Sequence, residues 1–151
     1  MDMLVRLCNL KFEQPALPEG IVIKRAIGPE LHVVTDWVRR EFGEGWASEC
    51  TVAITNQPST CFVAVENGKI LGFACYDATY RDFFGPTGVS EEARNKGIGK
   101  ALLMRCMEAM YHAGYAYAII GGAGPKDYYG RCVDAMLIPD SEPGVYFQML
   151  S

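Results

Sequence analysis

Residues 82–122 carry the pattern that most restricts how this chain can fold. An apolar strand pattern at 82–90 leads through a glycine-containing loop into a long amphipathic helix pattern that ends at Gly114, and an apolar strand pattern at 115–122 follows. The helix has one apolar stripe, formed by Leu102, Cys106, Ala109, Met110 and Ala113. Two strands joined through a long helix lie parallel with a right-handed crossover. The pattern therefore predicts an α/β domain.

Further strand patterns surround this unit. A short one lies at residues 3–10, and a clearer one at Ile21–Arg25. Two β-rich runs flank Asn67-Gly68, a dipeptide that is a strong signal for a tight hairpin. The later strand contains Gly85-Pro86, and a glycine and a proline inside a strand predict a bulge or a bend.

Helical patterns and two last strands complete the chain. A helix is predicted within 28–43, whose apolar face is Leu31, Val34, Val38 and Phe42. The segment 47–55 fits a helix or a strand, and its pattern leaves both open. Residues 125–132 predict a short helix or a turn, and 134–139 and 144–150 predict two final strands.

Length and charge limit the function classes. We expect one domain over residues 1–151, because this length suits a single core and 50% of the residues are hydrophobic. The formal net charge of −4 argues against nucleic acid as the main partner, since a phosphate backbone needs a basic face. Neither a signal-peptide pattern nor an apolar run of about 18 residues occurs, so we expect no membrane span.

The cysteines predict a reduced protein without a metal site. There are six of them, with no CxxC pair and no zinc-binding spacing: Cys8, Cys50, Cys61, Cys75, Cys106 and Cys132. Each is expected to be a small buried hydrophobe with a free thiol, which is typical of a cytoplasmic protein.

The loop before the long helix has the properties of an anion site. The first N–H groups of a helix have no partner within it, and the helix dipole adds positive character there. Gly97 and Gly99 let a bulky anion approach the backbone, while Arg94, Lys96 and Lys100 add positive charge. This combination suits a pyrophosphate.

Two common phosphate motifs do not match this loop. A P-loop needs a glycine where Arg94 stands and a serine or threonine where Ala101 stands. A dinucleotide-binding fingerprint needs a third glycine, and that position is Leu102. Both nucleotide-binding interpretations are therefore disfavoured.

The run Arg94-Asn95-Lys96-Gly97-Ile98-Gly99, with Val89 five residues before the arginine, resembles the acetyl-CoA loop of the GNAT superfamily of N-acetyltransferases. The order of helices and strands over most of the chain is also similar to that superfamily. The resemblance implies a mixed, mostly antiparallel sheet with a splayed parallel strand pair and flanking helices. It also implies that 47–55 is helical, and that Gly85-Pro86 lies near the bulge where the two parallel strands separate.

The resemblance implies roles for particular residues. The cofactor-binding set would be Val89, Arg94, Asn95, Lys96, Gly97, Ile98, Gly99 and Lys100. A backbone N–H near Val89 would polarise the thioester carbonyl. Tyr129, in the sequence KDYYGRC, would protonate the leaving thiolate, with Tyr128 beside it as a packing residue or, one position shifted, as the acid itself.

The implied reaction is transfer of an acetyl group from acetyl-CoA to a primary amine of a small molecule or peptide, by direct attack and without a metal. The family motif around the tyrosine is altered, with Gly122, Pro125 and Val133-Asp134 in place of its usual residues. This departure favours the alternative, an acetyl-CoA sensor without turnover. Edge strands near the C-terminus suggest a homodimer.

The amine acceptor and the base are not identified by any motif. Candidate bases are Asp77, Asp82, Glu44 and Glu49, although each of them is more typical of a solvated surface carboxylate. Candidate pocket residues are Phe42, Trp46 and Tyr80, although aromatic residues in such patterns are more typical of plain core packing.

Overall fold

The computed structural model describes all residues, 1–151. The strands are β1 Met3–Arg6, β2 Ile21–Arg25, β3 Cys61–Glu66, β4 Lys69–Tyr76, β5 Phe83–Val89, β6 Tyr117–Ile120 and β7 Met136–Leu137. The helices are α1 Leu31–Phe42, α2 Glu44–Thr55, α3 Ile98–His112 and α4 Lys126–Val133. Short 3-10 turns occur at Leu7–Asn9, Gly28–Glu30, Glu91–Ala93 and Gly144–Tyr146.

The strands form one mixed sheet in the order β2-β3-β4-β5-β6-β1-β7. Every neighbouring pair is antiparallel except β5 and β6, which are parallel and are connected through α3. The hairpin at Asn67-Gly68 joins β3 to β4, with both turn residues at positive φ. The predicted fold class, including the parallel pair, is confirmed.

The parallel pair is joined only at its beginning. Phe83 pairs with Ile119 and Phe84 with Ile120, and no pairing with β6 continues toward Val89. On its other side β5 pairs with β4, and the register shifts opposite Gly85-Pro86. The predicted bulge is therefore present, and beyond it β5 and β6 separate.

The sheet has an apolar layer on each face. Successive residues of β4 alternate between the layers, because side chains of a strand point to opposite faces. Ala74 and Tyr76 belong to the core under α3 and α4, whereas Phe73 and Cys75 belong to the core under α1 and α2. The first core also contains Leu102, Met107, Met110 and Val133, and the second contains Val34, Val38, Cys50 and Ile54.

Helices α1 and α2 correspond to the two segments of the N-terminal half in which the sequence allowed a helix. The segment 47–55 lies in α2, as the resemblance implies, and buries Ala47, Cys50, Ala53 and Ile54 against the sheet. In α1, Val34 and Val38 are buried as the pattern predicts. The helix itself begins only at Leu31, because the Gly28–Glu30 segment forms a 3-10 turn.

The prediction of a strand at 144–150 is wrong. Gly144–Tyr146 forms a 3-10 turn, and the residues that follow make no sheet pairing. Both sides of β1 are already paired, by β6 and by β7, so no position beside this strand is left for the segment. The strand predicted at 134–139 exists only as Met136–Leu137, at one edge of the sheet.

No helix of the protein is both long enough and apolar enough to span a membrane.

Candidate active site

A cavity of about 770 Å³ opens where β5 and β6 separate. It is lined by β5 from Phe84 to Val89, by the loop and first turn of α3, and by the segment from Ile120 to Pro125. Tyr128 and Tyr129 of α4 complete the lining on the α3 side, and Trp46 of α2 lines it from the other side. The cavity therefore passes through the opening in the sheet.

The loop before α3 has a backbone that presents donors. Asn95 and Gly97 have φ of 66° and 81°, in the left-handed region, and Gly97 is the residue that precedes the helix. The N–H of Ala101 donates to the carbonyl of Gly97 over 3.0 Å, so no earlier N–H of the helix has a helical partner. The N–H groups of Ile98, Gly99 and Lys100 are therefore free to bind an anion.

Three basic side chains surround these donors. Arg94, Lys96 and Lys100 are all exposed. The Nε of Arg94 lies 3.4 Å from the carbonyl oxygen of Val89 and donates to it, which ties the loop to the end of β5. Arg94 and Lys100 line the cavity, whereas Lys96 does not. Lys96 thus contributes positive charge near the cavity rather than part of its lining.

The open edge of β5 offers further donors. The N–H of Ser90 donates to the carbonyl of Leu71 in β4 over 2.8 Å. Because N–H groups of a strand alternate in direction, those of Val89 and Thr87 point away from β4, toward the opening. The N–H of Val89, the residue predicted to act as an oxyanion donor, therefore points toward the opening in the sheet.

The two tyrosines of α4 face different parts of the cavity. Tyr129 is buried, and its ring lies edge-on to Phe84, with centroids 6.3 Å apart, at the point where β5 and β6 separate. Tyr128 lies nearer the helix start, since a Cβ added to Gly99 would be 3.8 Å from its hydroxyl oxygen. Burial raises the pKa of Tyr129 to about 12, and burial together with Cys132 raises the pKa of Tyr128. Both phenols are therefore protonated at neutral pH.

Of the candidate pocket residues, only Trp46 lines the cavity. The Phe42 ring packs against the rings of Trp37 and Phe73. Tyr80 is exposed, and its ring lies beside that of Phe83. Phe42 therefore has the packing role that its apolar pattern favours, whereas Tyr80 lies at the surface.

The candidate bases are distributed over separate places. Glu44 is exposed and pairs with Arg39, whose Nε lies 3.0 Å from its Oε2. Asp77 accepts hydrogen bonds from the Tyr115 hydroxyl and from the backbone N–H of Asp82. Glu49 alone among the four lies close to the opening, in a smaller pocket beside the cavity.

The segment Gly121–Gly124 lines the cavity, and no motif had singled it out as part of the site. A Cβ added to Gly121 would lie 2.6 Å from the Tyr146 hydroxyl and 2.6 Å from the Phe83 ring, so only glycine fits there. The run of small residues in GGAG was the available signal. It indicates close approach of other groups, but the partner, Tyr146, is distant in sequence.

One group of possible metal ligands lies outside the cavity. The Sγ atoms of Cys50, Cys61 and Cys75 lie within 4.8 Å of one another, buried between α2 and the sheet. Sequence spacing missed this group because α2, β3 and β4 contribute one thiol each. Burial raises the pKa of the Cys75 thiol, which favours its protonated form in this apolar core.

A mixed sheet that opens beside a glycine-rich helix start is the arrangement of an acetyltransferase fold. The model of the acetyltransferase (GNAT) family matches residues 31–124. The chain belongs to this family. The match ends at Gly124, the last residue of the Gly121–Gly124 segment, before α4 and its two tyrosines.

Solved structures share the fold. A GCN5-related N-acetyltransferase from Sphaerobacter thermophilus superposes over 91% of this chain and 47% of its own, with a TM-score of 0.70 and 22% identity. A Drosophila protein gives a TM-score of 0.71 over 91% of this chain and 46% of its own, at 12% identity. A glucosamine N-acetyltransferase region of a fungal multi-domain β-N-acetylglucosaminidase gives a TM-score of 0.68 over 87% of this chain and 19% of its own, at 16% identity.

The chain thus spans less than half the length of each of these three proteins. At these identities the likeness concerns the fold alone. No curated protein sequence matches the chain significantly.

Proposed function

We propose that this protein is an acetyl-CoA-dependent N-acetyltransferase, which moves an acetyl group to a primary amine by direct attack in a ternary complex. The proposal rests above all on one observation. The free N–H groups at the start of α3 open into the same cavity as the unpaired edge of β5. An anion and an extended chain can therefore be held side by side there.

The residues present fit a CoA pyrophosphate and its pantetheine arm. Ile98, Gly99 and Lys100 offer their N–H groups to the pyrophosphate, and Arg94 and Lys100 offer positive charge. The open edge of β5 offers N–H groups to an extended chain, as an exposed strand edge does for an added strand. A Cβ added to Gly99 would lie 3.7 Å from the Val89 side chain and 3.8 Å from the Tyr128 hydroxyl, which are ordinary contact distances. Gly99 therefore borders the space between β5 and α4 in which the anion would lie.

Acetyl-CoA supplies the activated acetyl group as a thioester. In our proposal, the N–H of Val89 donates to the thioester oxygen and stabilises the negative charge that develops on it. Tyr129 retains its proton at neutral pH, since burial raises its pKa to about 12, and donates it toward the leaving thiolate. The amine attacks in its neutral form, so an ammonium group first releases one proton to solvent, and a second proton then passes from the nitrogen to the sulfur.

Titration of acetyl-CoA into the protein by calorimetry tests the cofactor site. We expect binding by the wild type and at least a ~100-fold weaker Kd for Gly99→Glu, because the new carboxylate occupies the anion position and repels it. Gly28→Glu is the matched control. It adds the same charge at an exposed glycine that precedes α1 and has open space at its Cβ position.

Two outcomes decide between the enzyme and the sensor. An enzyme releases CoA when acetyl-CoA is mixed with a panel of primary amines, whereas a sensor binds acetyl-CoA and releases none. CoA should be measured by chromatography, because the exposed thiol of Cys8 would react with thiol reagents. Failure of the folded wild type to bind acetyl-CoA would exclude both functions.

A further inference from the structure

A second, smaller pocket of about 300 Å³ reaches the opening in the sheet from the α2 side. It shares Trp46, Phe84, Gly85, Pro86, Gly121 and Gly122 with the large cavity, and its own residues are Glu49, Thr79 and Tyr146. A molecule seated there would face the β5 bulge from the side opposite α3 and α4. The two pockets therefore meet at the point where the strands separate.

Glu49 is the only charged residue in the lining of this pocket. Its Oε1 accepts a hydrogen bond from the Thr79 hydroxyl, which holds the carboxylate in place. Its Oε2 has no hydrogen-bond partner, and no lysine or arginine forms a salt bridge with it. Glu49 is half-buried, so its free oxygen is available to pair with a positively charged ligand in the pocket.

A second acidic residue, Asp2, adds to the negative potential of the pocket that contains Glu49. Asp2 is buried nearby, where its Oδ1 accepts the Gly122 N–H over 2.8 Å. Burial raises the pKa of Tyr146, the nearby Thr79 hydroxyl acts in the opposite direction, and the charges of Glu49 and Asp2 raise it further. The wall of the pocket thus favours a positive ligand and disfavours a negative one.

The rest of the lining is aromatic or lacks polar side chains. The rings of Trp46 and Tyr146 offer flat apolar surface, and Phe84, Gly85, Pro86 and Gly121 add no charge. Tyr146 closes the pocket over Gly121 and Gly122. The volume and lining suit a compact ligand with one ammonium group and an uncharged, apolar body.

We propose that this pocket is the acceptor site, and that it selects a small primary amine with an apolar body and no carboxylate beside the amine. The proposal rests on the acetyltransferase function above and adds the substrate class. Glu49 pairs with the ammonium group when the amine binds. An α-amino acid is disfavoured, because its carboxylate would lie against Glu49.

Binding of phenethylamine alone, followed by NMR, tests the pocket without acetyl-CoA. Phenylalanine carries the same ring and amine plus a carboxylate, and we expect it to bind at least ~10-fold more weakly. Glu49→Gln removes the charge and keeps the shape, and should weaken phenethylamine binding by roughly 10- to 100-fold. Glu44→Gln is the matched control on the same helix, since Glu44 is exposed and outside the pocket.

Steady-state turnover gives the second readout. In Glu49→Gln the KM for phenethylamine should rise by a similar factor, while the KM for acetyl-CoA stays within about two-fold. Unchanged phenethylamine binding in Glu49→Gln, or a preference for phenylalanine, would overturn the acceptor site and leave the acetyltransferase proposal intact. Failure of the wild type to bind acetyl-CoA would overturn the proposed acetyltransferase function. The amine-binding measurement would still show whether the pocket binds phenethylamine through Glu49.

Discussion

Tyr129 and Tyr128 are adjacent in the chain, yet the fold gives them different neighbours. Tyr129 lies against Phe84, where β5 and β6 separate, and Tyr128 lies toward Gly99 and the start of α3. The two hydroxyls therefore face different parts of a bound acetyl-CoA in our proposal. Tyr129 would lie nearer the reacting sulfur, and Tyr128 nearer the pyrophosphate.

Removal of each hydroxyl tests this assignment. We expect Tyr129→Phe to lower kcat by about 10²- to 10⁴-fold, the range for loss of a general acid, with little change in the Kd for acetyl-CoA. Tyr128→Phe is the control, with kcat within about ten-fold of the wild type. Reversed effects would assign the acid to Tyr128, and two near-normal variants would exclude a tyrosine acid.

Asp82 has a carboxyl group that the fold makes hard to ionise. Burial, and secondarily the charge of Asp77, raises its pKa to about 6, and its Oδ1 is buried without a hydrogen-bond partner. Because the pKa is higher in the folded than in the unfolded state, this group lowers the free energy of unfolding as the pH rises from about 4 to about 6.

Asp82→Asn keeps the size of the side chain and removes the charge. Asparagine also tolerates the left-handed backbone of this position, whose φ is 67°. We expect the variant to be more stable than the wild type toward urea at pH 7.5, and nearly equal to it at pH 4. Asp140→Asn, at an exposed residue with φ of 56°, is the control and should show no such difference between the two pH values.

At the scale of elements, the packing of α1 on β5 depends on a glycine. A Cβ added to Gly88 would lie 2.5 Å from the Phe42 ring, which occupies the space a side chain would need. Phe42 is the last residue of α1 and also contacts Trp37, Trp46 and Phe73. The end of the helix is therefore positioned over the strand through this close contact.

Gly88→Ala should destabilise the protein by about 1–3 kcal/mol, since it overpacks this contact. The cost should be smaller in a Phe42→Leu background, where the shorter side chain leaves room for the methyl group. Urea unfolding of the two single variants and the double variant gives the coupling between the sites. Strictly additive effects would show that the steric contact is not the cause.

At the scale of the whole molecule, the sheet separates two cores that we propose to unfold together as one domain of residues 1–151. Met107, a residue of α3, is fully buried against the sheet, whereas both tryptophans, Trp37 and Trp46, lie on the α1 and α2 face. Tryptophan fluorescence therefore reports the face opposite Met107. Far-UV circular dichroism reports all helices and strands at once.

Met107→Ala should lower the free energy of unfolding by about 2–5 kcal/mol, because it removes buried atoms and leaves a cavity. In a single cooperative domain the fluorescence and circular dichroism midpoints shift together. Met149→Ala, at an exposed residue, is the control and should leave both midpoints unchanged. A shift of the circular dichroism midpoint alone would mean that the two faces unfold separately.

The fold and the backbone conformation of the loop before α3 were largely predictable, because their signals are local in sequence. The Asn67-Gly68 turn and the strand, loop and helix order around Gly97 each express the backbone preferences of neighbouring residues. The strand predicted at 144–150 failed for a non-local reason. Whether a β-rich segment forms a strand depends on a free sheet edge, and no local pattern reports that.

The sequence alone therefore indicates the class of fold and the candidate anion-binding loop, since both depend on residues a few positions apart. The folded structure alone brings Glu49 of α2, Thr79 and Tyr146 to one pocket beside the opening of the sheet. It also distinguishes Tyr129 from Tyr128 and brings the thiols of Cys50, Cys61 and Cys75 together. These groups are far apart in sequence, and only the packing of α2 and the C-terminal segment against the sheet makes them neighbours.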